Sequence, residues 1–276
     1  MRGIFLIVLV STLLGALVWF FSLSPSGDSD WLPEQSRVVR VEARDGMLHF
    51  RNVRDWTYGE SEVLSREWID MSIPVSSIVR TWFFIDHFSS VHGIAHPFLS
   101  FEFEDGRTLA ISLEARREIG EAYSPLIGAV RGYELTHVWS TERDMVARRL
   151  VNAGHPVSMY PLELSAEESA RLLALLAEDT NALAATPRFY NTVTGNCMNL
   201  LAGLVNRMNP GRLPYDLAWN LPGYADRYLA REGLIDPASL ERADLARHRE
   251  AVAAVSSVPA DRFSAALREL RDLEQR

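Results

Sequence analysis

The sequence predicts an α+β domain behind one N-terminal apolar helix, and three features predict it. Short period-2 stretches rich in β-branched and aromatic residues fill the first half of the chain. Longer stretches with 3.6-residue periodicity fill the second half, and this segregation marks α+β rather than alternating α/β architecture. The third feature is Ile4 to Leu23, uncharged and about as long as a helix needs to cross a bilayer core.

Arg2 is the only charge before this stretch, and Asp28 and Asp30 follow it, which orients the helix N-in, C-out. Phe20-Phe21-Ser22-Leu23 offers no small-x-small cleavage site, so residues 1–24 read as an uncleaved signal anchor. Residues 25–35, rich in Ser, Pro, Gly and Asp, read as a short flexible linker. Residues 36–245 form the folded body and 246–276 a C-terminal helical extension. The body is expected on the periplasmic side of an inner (cytoplasmic) membrane.

Within the body, Val38 to Val53 reads as a hairpin turning at Asp45-Gly46. Ile73 to Ile85 reads as one strand, whose Trp82-Phe83-Phe84-Ile85 end is a core stretch or, alternatively, an acyl-chain lining. His96 to Phe103 and Thr108 to Glu114 form a second hairpin, and Tyr133 to Val138 a further strand. Ser165-Ala166-Glu167-Glu168 is a capping box that opens a helix through Leu172, Leu173, Leu176 and Leu183. Cys197 to Met208 is the next helix, stopped by Asn209-Pro210-Gly211. Pro259 to Gln275 is the last, with Phe263, Leu267, Leu270 and Leu273 on one stripe.

Composition narrows the chemistry. The chain is 47% hydrophobic and 23% charged, as a folded globular protein is. A net charge of −8 gives no pull toward nucleic acid. All 28 basic residues are arginine, so Schiff-base and P-loop lysine chemistry are excluded. There is no GxSxG, HExxH or CxxC motif. His92 and His96 stand four apart, but Gly93 and Pro97 oppose a helix there and no carboxylate set accompanies them, so no metal is expected. No cofactor is expected either.

Cys197 is the one cysteine. It follows the polar, Gly-containing stretch Tyr190 to Asn196 and begins an apolar run, which places a thiol at a helix N-terminus. Such a position carries partial positive charge and free N–H groups that favour a thiolate nucleophile. Free cysteine also fills space in cores, so the local pattern leaves packing open.

The second hairpin carries the partner. Leu99, Phe101 and Phe103 share one strand face, and His96, Phe98, Ser100 and Glu102 the other. Keeping the apolar set together aligns Leu99, Phe101 and Phe103 with Leu109, Ile111 and Leu113. Ser112 and Glu114 then share the face of His96. A thiol, a base and an orienting group are the parts of a catalytic triad: Cys197, His96, and Glu114 or Ser112. Taken alone, His96 also reads as a strand histidine satisfied by its neighbours.

Several segments, taken together, resemble the Lnb N-terminal periplasmic domain family. Asn52-Val53-Arg54-Asp55-Trp56-Thr57-Tyr58 resembles an N-V-R-[DN]-aromatic-x-Y stretch. Ala95-His96-Pro97-Phe98-Leu99-Ser100-Phe101-Glu102-Phe103 resembles A-H-T-x-x-S-F-x-F. Leu109 to Glu118 resembles L-A-I-S-x-E-x-R-x-E, Glu142 to Arg148 resembles E-R-D-x-x-x-R, and Phe189 to Cys197 resembles F-Y-N-T-x-x-x-N-C. Leu221-Pro222-Gly223 to Asp236 resembles the closing stretch. Pro97 stands where Thr is common, and Met198 where Thr often follows the cysteine.

The resemblance implies a permuted papain-like (NlpC-type) thiol fold with an antiparallel sheet. It implies lipoprotein N-acyltransferase chemistry, in which an acyl chain passes from phospholipid to a cysteine thioester and then to a lipoprotein α-amine. Carried over, Cys197 is the nucleophile, His96 the base, and Glu114 or Ser112 its orienter. Asn196 or the Cys197 backbone N–H serves the oxyanion, and Tyr190 and Arg116 contact substrate. The implied partners are phospholipid, lipoprotein and the membrane itself. Two other functions fit the same residues: hydrolysis of peptidoglycan amides or lipid esters by the same dyad, and a catalytically silent binding module.

Overall fold

The computed structural model describes residues 2–272. Strands β1 (Arg40–Arg44) and β2 (Met47–Tyr58) form the expected first hairpin. Its two turn residues, Asp45 and Gly46, have φ of 53° and 74°, a conformation that Gly accepts without strain and that matches the twist of a tight hairpin. The stretch from Ile73 to Ile85 is not one strand. Pro74 ends β3 (Val63–Pro74), a 3₁₀ turn spans Val75–Ser77, and β4 (Ile78–Asp86) starts afresh. Proline has no N–H to carry a ladder forward, which is why the break falls there.

Strands β5 (His96–Phe103) and β6 (Thr108–Arg116) pair with Leu99 opposite Ile111 and Phe101 opposite Leu109, the register that keeps the apolar residues together. Strands β7 (Glu134–Ser140) and β8 (Val157–Pro161) complete an eight-stranded sheet in the order β1-β2-β7-β6-β5-β4-β8, with β3 also on β2. The sheet is mixed rather than antiparallel: β2 meets β7 in parallel through a single bridge, Arg54 to Ser140.

Side chains, more than backbone, hold that seam. Arg54 makes a forked pair with Asp144 (Nη2–Oδ1 2.6 Å, Nε–Oδ2 2.9 Å), and Asp144 also accepts from the Trp56 N–H at 2.8 Å. Beside it Arg143 and Thr141 both donate to Asp55, each at 2.7 Å. The N-V-R-D and E-R-D segments are thus two halves of one staple.

The helices cover both faces. After α1 (Arg2–Ser22) and the short α2 (Pro125–Ala129) come α3 (Glu142–Ala147), a π-helical turn (Arg148–Asn152), and α4 (Ala166–Ala185) with its capping box intact. Then follow α5 (Cys197–Met208), α6 (Ala225–Arg231), α7 (Arg249–Val255) and α8 (Ala260–Asp272). Helices α4, α5 and α6 pack on Leu99, Phe101, Ile111 and Leu113, and α3, α7 and α8 on Phe84, Phe98 and Ala110. Every residue of β6 is buried between these layers.

Both end segments are joined to the body. Phe263 and Leu267 of α8 are fully buried in the second layer and Leu270 packs against it, so the C-terminal stretch closes the core; Leu273 lies outside the described residues. The supposed linker is tied down. The N–H groups of Ser26 and Gly27 donate to the Glu134 carboxylate, Ser29 donates to Glu118, and Gln35 is buried against β6.

Candidate active site

The sequence places Cys197 at the first turn of α5 by capping. Asn196 has extended backbone, and its Oδ1 accepts from the Asn199 N–H at 2.9 Å. The thiol is buried at 3% exposure beside the N–H groups of Cys197 and Met198, which favour its ionised form. Burial nevertheless dominates and pushes the thiol up to about 12. The sequence-based expectation of a resting thiolate is therefore corrected: desolvation outweighs the helix terminus.

His96 begins β5. Its Nε2 lies 2.6 Å from the Ser112 hydroxyl, which donates to Glu114 Oε1 at 2.8 Å. Because Ser112 gives its proton to the carboxylate, its oxygen accepts from His96, so the imidazole carries its hydrogen on Nε2 and a lone pair on Nδ1. Ser112 and Glu114 are not alternatives as orienting groups; they stand in series. Burial and then the Arg149 charge lower the His96 pKa to about 4, so the ring is neutral near pH 7.

Arg149 and Gln35 complete the chain. Arg149 Nη2 donates to Glu114 Oε1 at 2.8 Å and to Ser112 Oγ at 3.3 Å, and its Nε lies 3.2 Å from Asp86. Asp86 in turn bonds His155 at 2.9 Å. Gln35 Nε2 donates to the other carboxylate oxygen, Glu114 Oε2, at 2.7 Å. Burial alone would raise the Glu114 pKa, but the guanidiniums of Arg149 and Arg148 hold it well below the carboxylate range. It remains ionised in a dry setting.

These groups open onto one cavity of about 450 Å³, lined by Cys197, His96, Glu114, Arg149, Tyr190 and Tyr123 among others. Tyr190 is buried in its wall, and burial and the neighbouring thiol raise its phenol. Trp82, Phe83, Phe84 and Ile85 are core residues and do not line it. Its aromatic wall comes instead from Trp56, Tyr58, Phe88 and the two tyrosines.

Two expected site residues are committed elsewhere. The Asn196 amide donates to the carbonyls of Thr192 (3.0 Å) and Trp219 (2.9 Å) and accepts at the cap, leaving nothing for an oxyanion. The backbone N–H groups of Cys197 and Met198 are the donors that remain. Arg116 sits outside the cavity lining. Its guanidinium donates to the carbonyls of Gly27, Gln35 and Ser36 and covers the Trp31 ring at 4.2 Å, so it secures the strap from the N-terminal helix. His92 stacks on His87 and meets Tyr224.

Arg149, Asp86 and Gln35 were not legible as site residues. The available signals were the pair Arg148-Arg149 after a short helix and the acidic end of an otherwise apolar strand. The π-turn that aims Arg149 inward is a feature often found at functional sites.

The family model of the Lnb N-terminal periplasmic domain matches residues 65–221, more than half of the chain. The chain belongs to this family. The matched stretch runs from β3 through Cys197, and so includes His96, Ser112, Glu114 and Arg149. No curated protein and no solved structure matches. The family is periplasmic, and Gly3–Ser22 is, among the described residues, one helix long and apolar enough to cross a membrane. The protein is periplasmic and membrane-associated.

Proposed function

We propose that this protein is a cysteine-dependent acyltransferase with a permuted papain-like arrangement, anchored N-in in the inner membrane. The observation that carries the reading is the chain His96–Ser112–Glu114, which leaves Nδ1 of a neutral imidazole unbonded in the cavity that holds the Cys197 thiol. In the first step Nδ1 takes the Sγ proton while sulfur attacks the ester carbonyl of a phospholipid. The C–S bond forms, the ester C–O bond breaks, and the proton passes to the departing lysophospholipid oxygen. In the second step a lipoprotein α-amine attacks the thioester carbon, the C–S bond breaks, and the amine proton returns through His96 to sulfur. The Cys197 and Met198 N–H groups stabilise the oxyanion of both tetrahedral intermediates. Starting from a neutral pair, the thiol need ionise only as it attacks.

Intact-protein mass spectrometry after incubation with phospholipid vesicles tests the reading. The expected result is a hydroxylamine-labile increase of one acyl group on the native protein and none on Cys197→Ala. No adduct on the native protein, with lysophospholipid and free fatty acid accumulating, would assign the dyad to hydrolysis. No adduct and no products would leave a binding module.

A further inference from the structure

Exposed apolar side chains scattered singly over a surface need no explanation, but a contiguous group does. Leu126 is 80% exposed, Val130 54%, Val193 56% and Leu217 69%. They come from three separate segments: α2 with its C-cap Val130, the turn after Tyr190, and the loop after Pro214. Hydrogen bonds join those segments into one surface. Thr192 Oγ1 donates to the Pro125 carbonyl at 2.8 Å, and Asn191 Nδ2 donates to that of Ala129 at 3.1 Å. Asn220 Nδ2 donates to the Val193 carbonyl at 2.6 Å. Gly128 lies so close to Thr192 that any β-carbon there would collide with its hydroxyl.

One residue ties this surface to the end of α1. Arg131, two positions beyond α2, donates to the Phe20 carbonyl at 3.1 Å and lies over the Phe20 ring at 4.5 Å and the Phe189 ring at 5.7 Å. Phe20 belongs to the last turn of α1, so α2 is held where that helix leaves the bilayer. Tyr215 and Trp219 pack edge to face beside Leu217, an amphipathic aromatic pair of the kind that sits at headgroup level. Pro125, Thr192, Asn220 and Pro222, which belong to or flank these segments, also line the cavity that contains Cys197.

We propose that α2, the 191–195 turn and the 215–221 loop form a docking surface that enters the outer leaflet of the bilayer crossed by α1, with the cavity mouth in lipid. The occupant is the membrane because the surface is continuous with the point where the chain's own helix emerges. The inference rests on α1 crossing a bilayer and does not require acyl transfer.

The test uses the full chain with Cys197→Ser, reconstituted in nanodiscs of phosphatidylethanolamine and phosphatidylglycerol. Single nitroxide labels are placed at Leu126→Cys, Val193→Cys and Leu217→Cys. Leu13→Cys in α1 serves as the lipid reference. Val79→Cys, at the start of β4 and so at the far end from Asp86, serves as the aqueous reference. Collision with dissolved oxygen relative to a water-soluble nickel chelate is read by power saturation. The three sites are expected to show a ratio several-fold above Val79 and toward Leu13. Values at Leu126 and Val193 equal to Val79, with Leu13 reading as lipid, would overturn the proposal. That outcome would leave the acyl-transfer reading standing, because the thioester is assayed separately.

Discussion

The molecule buries two arginine–carboxylate clusters, with Asp144 of one and Arg149 of the other on adjoining helical turns, and they differ in one respect. In the first, Arg54 and Asp144 are both fully buried and every partner is internal: the forked pair, the Trp56 N–H and the Glu34 carbonyl. In the second, Arg149 and Glu114 are almost as buried, but the cluster runs on through Ser112 to His96 and stops at a ring nitrogen with no hydrogen-bond partner among the described residues. The first cluster is closed and the second has an open end. Burial and perturbed ionisation are common to both, so neither identifies a reactive site. The proposed reaction rests on the open end, because His96 and Cys197 line the same cavity.

The largest expected effect comes from breaking the closed cluster. Arg54→Leu leaves Asp144 buried and unpaired and should cost about 3–5 kcal/mol of stability, read by urea unfolding. Alkylation of Cys197 by iodoacetamide in the fraction that remains folded should be nearly unchanged. A loss of alkylation rate without loss of stability would blur the distinction between the clusters.

Glu114→Gln should do the reverse. It weakens the hold on Ser112 and His96 and should slow Cys197 alkylation by about 10²-fold, the low end for loss of a positioned base. The unfolding midpoint should fall less than for Arg54→Leu, since Asp86 still compensates Arg149. Ser112→Ala removes only the link between His96 and Glu114, and a drop of about tenfold is expected in the same assay.

Titration gives an effect with a definite sign. His96 and His137 are both lowered to about 4, chiefly by burial, whereas an unfolded histidine titrates near 6.5. Between those values the unfolded chain binds protons that the folded chain does not. Stability should therefore be fully present above pH 6.5 and decline as pH falls toward 4. Thermal melts at pH 7.5 and 5 should show the loss, and His96→Asn should flatten part of it. The smallest effect belongs to the neighbour of the closed cluster: Arg143→Gln leaves Asp55 its Thr141 hydrogen bond and should cost about 1–2 kcal/mol.

Much of the arrangement was legible in the chain. The β5–β6 register followed from keeping Leu99 and Phe101 with Leu109 and Ile111, and that register alone brings Ser112 and Glu114 toward His96. The α5 boundary followed from the polar approach to Cys197. The misses have physical causes. Strand β3 lies at an edge and alternates half-buried with exposed residues, so it carries no strong apolar signal. Strand β8 has only five residues. Arg116 and Arg149 look alike in sequence. Only the third dimension shows that one grips the strap and the other the buried Glu114 carboxylate. Asn196 was assigned a chemical role because it precedes the cysteine, whereas its amide is consumed by the cap that places the cysteine.

Gln35 belongs to the strap between the membrane helix and β1, yet its amide grips Glu114 and accepts from the Arg117 N–H at 2.8 Å. A proteolytic cut in the few residues after Gln35 would not by itself free the body, because Glu134, Glu118 and Arg116 still hold the strap. Only if that grip also failed would the stub take Gln35 from the buried carboxylate, so the tether and the setting of Glu114 meet in one side chain.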